Sequence, residues 1–310
     1  MSTTAIVFAG QGSQSIGMMS DLIDLPAVKK TFDEAADTLH IDLWKMVTEG
    51  PAELLNQTIN TQPLMLAAGV ATFRAWQEAG GQAAAYYAGH SLGEYTALVA
   101  AEALPFSDAL PLVRFRAQSM QDAVPEGVGA MAAILGLDQI VLDAICREAA
   151  QNDVCEAVNL NAPGQIVIAG HREAVERGMA LAKARGAKRA LLLPMSVPSH
   201  CALMRPAAQR LEQYLSDVHI SVPDRPVIQN ADVRAFPSAD EIKQALVAQL
   251  YRPVRWIETV EYLATQSVST VVECVPGKIL TGLNKRIAPD MNCLAITDTA
   301  SLHAAIHAAA

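Results

Sequence analysis

The 310-residue sequence lacks any apolar run long enough to cross a membrane. The longest nearly unbroken one, PLMLAAGVATF (63–73), falls well short of the roughly 20 residues a spanning helix needs and reads as a buried helix. No basic residue precedes Lys29, so the charged front end of a secretory leader is missing, and MSTTAIVFAG reads as a first strand. No CxxC pair is present. The five cysteines, Cys146, Cys155, Cys201, Cys274 and Cys293, are odd in number and scattered, against a disulfide framework or a zinc site and in favour of reduced thiols in a cytoplasm. Positive charge is in deficit: a net charge of -9 gives no whole-surface reason to bind nucleic acid or anionic lipid. Repeats and low-complexity tracts are absent, and 51% hydrophobic residues exclude a disordered chain.

What is present suits an α/β protein, either one large domain or a core carrying a smaller insert. The apolar run AIVFAG ends in glycine and is followed by the loop QGSQSIG and a helical pattern from near Met18. Asn60, Thr61 and Pro63 mark a helix start, Gly80 and Gly81 its stop, and AAAYYAGH supplies another buried strand. Between about 129 and 197 the order is strand AMAAILG, helix LDQIVLDAICREAAQ, strands CEAVNLN and QIVIAG, helix REAVERGMALAKARG and strand RALLLPMSV. That is the split β-α-β-β-α-β arrangement, a two-layer unit able to stand on a larger core. Helices at 203–215, 242–249 and 257–265 and the strands PVIQN and TVVECV complete the pattern.

Gly89-His90-Ser91-Leu92-Gly93 fits G-x-S-x-G, with an apolar strand leading in and an alanine-rich helix leading out. Side chains at Gly89 and Gly93 would clash where such a turn doubles back. At the helix start, free N–H groups and the helix dipole favour developing negative charge, and the Leu92 amide is placed for an oxyanion. The competing reading is a serine N-cap. A nucleophilic hydroxyl needs a base, and His200, in PMSVPSHCALM at a strand-to-helix junction, is the best candidate; a purely structural histidine stands beside it as an equal alternative. His90 adjoins Ser91, where consecutive side chains point apart, and His40, His171, His219, His303 and His307 read as surface residues. Glu94 reads as a first-turn acid favoured by the helix dipole. The loop Gly10-Gln11-Gly12-Ser13-Gln14 has Ser15 where a dinucleotide fingerprint needs its third glycine, and no Walker lysine follows. Its glycine-flanked amide suits a second oxyanion donor, the alternative being an ordinary tight loop.

FAGQGSQ, GHSLGE, RAQSMQ, EGVGAMAAILG, NAPGQIVIAG, VPSHCALM, QLYRPVRW and PGKILTGL occur here in the order seen in malonyl-CoA:acyl-carrier-protein transacylases, a family the chain resembles over 7–286. The resemblance implies a hydrolase-like α/β core with a parallel sheet (1–126 and 198–310), an inserted ferredoxin-like subdomain (127–197) and an active site between them. It implies Ser91 as nucleophile, His200 as base, the backbone N–H groups of Gln11 and Leu92 as oxyanion hole, and the Gln249 carbonyl as the group orienting His200. Arg116, by itself a helix-surface charge two residues from Arg114, becomes the residue that grips the malonyl carboxylate, and Asn161 and Arg189 become contacts to coenzyme A.

The same resemblance implies a ping-pong transfer of malonyl from malonyl-CoA to the phosphopantetheine thiol of holo acyl carrier protein. Malonyl-CoA is a substrate, and no cofactor, metal, nucleic acid or membrane is expected. VPSH at 197–200 is closest to the stand-alone fatty-acid enzymes. An acyltransferase of a polyketide synthase or malonate decarboxylase, a serine thioesterase and a non-catalytic carrier-binding subunit are the alternatives. Arg177, Lys183, Arg185, Lys188 and Arg189 fall in a stretch without an acidic residue, which reads either as a solvated helix face or, with Lys285 and Arg286, as a docking surface for an acidic carrier. Two positions depart from the family pattern: Ala9 replaces a proline, and Val275 a glycine.

Overall fold

TTAIVF, rich in β-branched and aromatic residues, makes β1 (Thr3–Phe8), buried from Thr4 onward as a strand covered on both faces must be. The structure, a computed structural model, describes residues 3–195, 197–274 and 277–310; Val275 and its departure from the family pattern lie outside them. After β1 come α1 (Pro26–Leu39), α2 (Leu43–Glu49), the short α3 (Ala52–Leu55), α4 (Thr58–Glu78), β2 (Tyr86–Gly89), α5 (Gly93–Ala100) and α6 (Phe106–Ala123). The middle of the chain forms β3 (Gly129–Leu135), α7 (Gln139–Ala150), β4 (Cys155–Ala162), β5 (Gln165–His171), α8 (Arg172–Ala184) and β6 (Arg189–Leu192). It continues with α9 (Arg205–Ser216), β7 (Val227–Ile228), α10 (Ala239–Gln249), α11 (Trp256–Thr265), β8 (Val268–Glu273), α12 (Ile279–Ile287), β9 (Asn292–Ala295) and α13 (Thr299–Ala309).

Two sheets result. One is parallel throughout, in the order β7-β2-β1-β8-β9; the other is antiparallel, in the order β4-β5-β3-β6. The fold is therefore the expected α/β core with a parallel sheet and a small ferredoxin-like unit. The core around the first sheet is filled by α4, whose residues are buried almost without interruption from Thr61 to Trp76, with Phe73 edge-on to Phe8 and Tyr87. The small sheet has its own core, with Ile134, Leu142, Ile145 and Ile168 among its fully buried residues. The two parts join where Leu160 N–H donates to the Val254 carbonyl at 3.0 Å and Val254 N–H donates to Val158 at 2.8 Å, extending β4 by one bridge.

Several elements differ from the sequence expectation. The α4 helix starts at Thr58, ahead of the expected cap, and carries Pro63 inside it. Its first turn closes on the Gln57 carbonyl, which accepts from Asn60 N–H and Thr61 N–H, while the Thr61 hydroxyl donates to the Leu55 carbonyl at 2.6 Å, so the proline falls beyond the turn that needs fixing. Near Met18 there is only a 3-10 turn (Ser20–Leu22), and the helix waits for Pro26, a residue preset for a first turn. β6 stops at Leu192, two residues before Pro194, shorter than RALLLPMSV suggests.

Candidate active site

Sheet order brings the two glycine-containing loops together. β1 and β2 are parallel neighbours, so their carboxyl ends lie side by side, and His90 N–H donates to the Phe8 carbonyl at 2.9 Å. A Cβ on Gly10 would stand 2.4 Å from the His90 oxygen, one on Gly89 would stand 1.9 Å from the Gly93 carbonyl carbon, and one on Gly93 would stand 2.0 Å from the Phe8 oxygen. The turn thus tolerates no side chain at either flank of Ser91. Ser91 itself has φ 53°, a left-handed conformation costing about 1–3 kcal/mol for a residue with a Cβ. The N–H groups of Gln11 and Leu92 have no acceptor among the described residues.

The second strained residue is His200, at φ 66°. Its N–H donates to the Leu250 carbonyl at 2.9 Å, and its ring Nδ1–H to the Gln249 carbonyl at 2.7 Å. The end of α10 therefore fixes both backbone and ring, leaving Nε2 to accept from the Ser91 hydroxyl at 2.8 Å. Burial, and then the positive charge of Arg116, push the imidazole down to about 3, so it is neutral and able to accept a proton throughout the physiological range. From the small sheet, Glu156 accepts Ala202 N–H at 3.1 Å and holds the segment that follows.

Arg116 is buried in α6 with the guanidinium over the Tyr95 ring. It donates to Gln62 Oε1 and Gln249 Oε1, both at 2.8 Å, and to Ser91 Oγ at 3.3 Å. All three partners are neutral, so a desolvated cation sits beside the serine without a counter-charge. Breaking up such a buried pair by omitting one partner ordinarily costs several kcal/mol, which makes an arriving carboxylate a favourable complement. Gln249 thus serves twice, its carbonyl holding His200 and its side chain holding Arg116, with Nε2 donating to the Ser91 carbonyl at 3.0 Å.

Ser91, His200, Arg116 and Gln62 line a cavity of about 550 Å³ between the two sheets, walled by Met131, Val167 and Leu193 on the small side and by Leu280 and Leu283 of α12 on the other. Asn161 reaches it, its Oδ1 2.8 Å from His90 Nε2. Arg189 does not: it is exposed at the start of β6 and is not part of the cavity wall. The stretch of five cations is also less uniform than its composition implies, because Arg177 pairs with Asp153 at 2.9 Å and Arg185 with Glu148.

Two features were not visible in the sequence. Glu94 is no solvent-facing helix-start acid; it is fully buried, and burial pushes its carboxyl up to about 8, so it is the neutral acid at pH 7. Asn230, which no motif marked, bonds to the nucleophile turn, with Ser91 N–H donating to its Oδ1 at 2.7 Å. It closes the stretch PVIQN, two residues past β7, and nothing in that stretch marks it as a site residue.

Residues 5–287 match the acyl transferase domain family. The chain is 52% identical to the malonyl CoA-acyl carrier protein transacylase of Escherichia coli (strain K12), with 99% of each chain covered. Among solved structures, an acyl-carrier-protein S-malonyltransferase from Burkholderia pseudomallei 1710b superposes with a TM-score of 0.97 at 52% identity, covering 98% of this chain and 99% of that one. A malonyl-transacylase solved in complex with a type II polyketide synthase acyl-carrier protein also gives 0.97 at 52% identity, covering 99% and 100%. A family model over residues 5–287 and full-length matches at 52% identity place this chain in the acyl transferase family, among the malonyl CoA-acyl carrier protein transacylases.

Proposed function

We propose that the protein moves a malonyl group from malonyl-CoA to the phosphopantetheine thiol of holo acyl carrier protein through an ester on Ser91. The observation that carries this reading is the convergence of His200 and Arg116 on the Ser91 oxygen, at 2.8 and 3.3 Å. His200 Nε2 takes the hydroxyl proton as Ser91 attacks the thioester carbonyl, and the oxyanion collects the N–H groups of Gln11 and Leu92. Collapse expels the coenzyme A thiolate, which takes the proton from His200. Arg116 turns its guanidinium to the malonyl carboxylate, the bidentate geometry an acetyl group cannot use. The carrier thiol then gives its proton to His200 and attacks the ester, and collapse expels the Ser91 oxygen, which takes that proton back from His200 as the malonyl-carrier thioester leaves.

A carbonyl rather than a carboxylate behind His200 stabilises the imidazolium less, which a reactive thioester tolerates and a simple hydrolase would not favour. The serine, the histidine and the two amides supply the steps, with malonyl-CoA as substrate rather than cofactor. Asn161, whose Oδ1 lies 2.8 Å from His90 Nε2 at the cavity wall, is assigned to the pantetheine arm. Arg189 is offered from the surface for the phosphates. Five free, buried cysteines support a reducing compartment, the cytoplasm, and the reading VPSH supports a role in fatty acid synthesis. The solved complex with a polyketide carrier favours one alternative, service to such a carrier, which competition between the two carrier types would decide.

Lys183, Lys188, Arg189 and Lys285 are exposed and have no ion pair among the described residues. Lys188 packs on Gly136, Gly136 N–H donates to the Gly164 carbonyl, and Arg286 donates to the adjoining Pro163 carbonyl, so Lys188 and Arg286, with their chain neighbours Arg189 and Lys285, share one rim. That rim is the surface offered to an acidic carrier. The test of the whole reading is intact mass after incubation with malonyl-CoA. A malonyl adduct on Ser91, absent from Ser91→Ala, is expected; an unmodified wild-type chain would overturn it.

A further inference from the structure

The order β7-β2-β1 sets three strand ends in a row, so the chain leaving β7 runs beside the Ser91 turn. Two residues past β7 stands Asn230, buried, and its amide makes two bonds to the nucleophile turn. Ser91 N–H donates to Oδ1 at 2.7 Å, and Nδ2 donates to the Gly89 carbonyl at 2.6 Å. Its backbone is held in turn: Asn230 N–H donates to Glu94 Oε2 at 2.7 Å, and its carbonyl accepts Arg255 N–H at 3.1 Å. One asparagine therefore ties the end of β2, the serine and the first turn of α5 into a closed ring.

We infer that Asn230, anchored by Glu94, is a positioning residue for the reaction: it holds the left-handed serine so that Oγ meets His200 while the Leu92 N–H faces the oxyanion. Ser91 N–H is one of the free donors of a helix start, and in this turn it must point away from the reacting carbonyl if Leu92 N–H is to point towards it. The amide oxygen of Asn230 gives it an acceptor on that far side. Glu94 does its part as an acid, accepting through Oε2 while Oε1 has no partner among the described residues. The inference rests on Ser91 being the nucleophile.

The ionisable groups around Asn230 are Glu94 of α5, His90 in the turn itself, Asp232 with its partner Arg252, Arg255 with its partner Glu258, and, beyond the serine, Arg116 and His200. An aspartate at 230 can copy the amide only when protonated, because an ionised one would set a charged oxygen against the Gly89 carbonyl. The experiment measures Ser91 acylation by malonyl-CoA in single turnover for the wild type, Asn230→Ala and Asn230→Asp between pH 5 and 7, below the range in which Glu94 itself ionises. Malonyl-CoA binding is measured alongside, with and without Asn230→Ala in a Ser91→Ala background. Asn230→Ala should acylate about 100-fold more slowly, the size of loss expected when a reacting group is misplaced by an ångström, with binding in the Ser91→Ala background unchanged. Asn230→Asp should approach the wild-type rate at pH 5 and lose it as pH rises, while the wild type does not. Acylation of Asn230→Ala within threefold of wild type, a loss of binding that matches the loss of rate, or an Asn230→Asp profile parallel to wild type would each overturn the inference. A wild type that forms no Ser91 adduct overturns the nucleophile reading and the brace with it, whereas a normal adduct in Asn230→Ala overturns the brace alone.

Discussion

The nucleophile turn and the cationic rim of the small sheet are both conspicuous in the sequence, yet they are built on opposite terms. Around Ser91 glycine flanks leave no room for a methyl group, the backbone is strained, and His200, Arg116, Gln249 and Asn230 all bond to the same short segment. Around Lys188 and Arg189 the side chains stand in water, and two of the cations counted there are neutralised by Asp153 and Glu148. Geometry is stored in the first region and charge is displayed by the second. The lesson is that a spacing motif reports close packing, whereas a charge count reports little until the partners are known.

The contrast is broken most forcefully at glycine. Gly93→Ala drives a Cβ against the β1 backbone at Phe8 and should cost about 3 kcal/mol or more in a denaturant titration. Gly186→Ala, in the loop before β6 at φ 93° with nothing within 4 Å, should cost about 1 kcal/mol, from conformation alone. Next in size is Arg116→Ala. Acylation by malonyl-CoA should fall roughly a hundredfold or more, with acetyl-CoA little affected, as read from single-turnover rates with the two donors.

Glu94→Gln sharpens the comparison through pH. A native carboxyl raised from 4.5 to about 8 keeps a proton that the unfolded chain releases, so this group's contribution is full below pH 4.5 and is lost as pH climbs through 8. The wild type should therefore lose a few degrees more in melting temperature between pH 6 and 9 than Glu94→Gln does. The smallest effect belongs to the rim. Lys188→Glu with Lys285→Glu should raise the carrier KM by about fivefold at low salt, with kcat and the malonyl-CoA KM unchanged and the difference shrinking as salt screens it. A KM that does not move would remove the rim from the docking surface.

Periodicity in the sequence was enough to draw β1, β2, α4, α7, α8 and the split small sheet, because each buries one continuous face or, like α4, is buried all round. It also drew α9, β7, α10, α11 and β8, began the first helix too early, and did not draw α2, α3, α12, β9 or α13. β9 is only four residues long, and α13 turns inward little beyond Leu302, Ala305 and Ala309 in an alanine- and histidine-rich segment. At the site, Gly89, Ser91 and Gly93 were legible because sterics there act between near neighbours in sequence. Asn230 and the burial of Glu94 were not, since each depends on which strand lies beside β2, and strand order is written in the whole fold rather than in any short stretch. The surface reading of Arg116 failed for the same reason: its companions Gln62 and Gln249 come from distant helices.

The seam between the two sheets sets a rule for building chimaeras of this family. Val254 is stitched to Val158 and Leu160, and His90, the residue before the nucleophile, meets Asn161. A small unit transplanted from a relative would have to bring an amide side chain at 161 and a β4 edge in register with 254, or the donated lid would sit askew over an otherwise intact serine. Grafts that match these few contacts should trade carrier preference while leaving the nucleophile's chemistry in place.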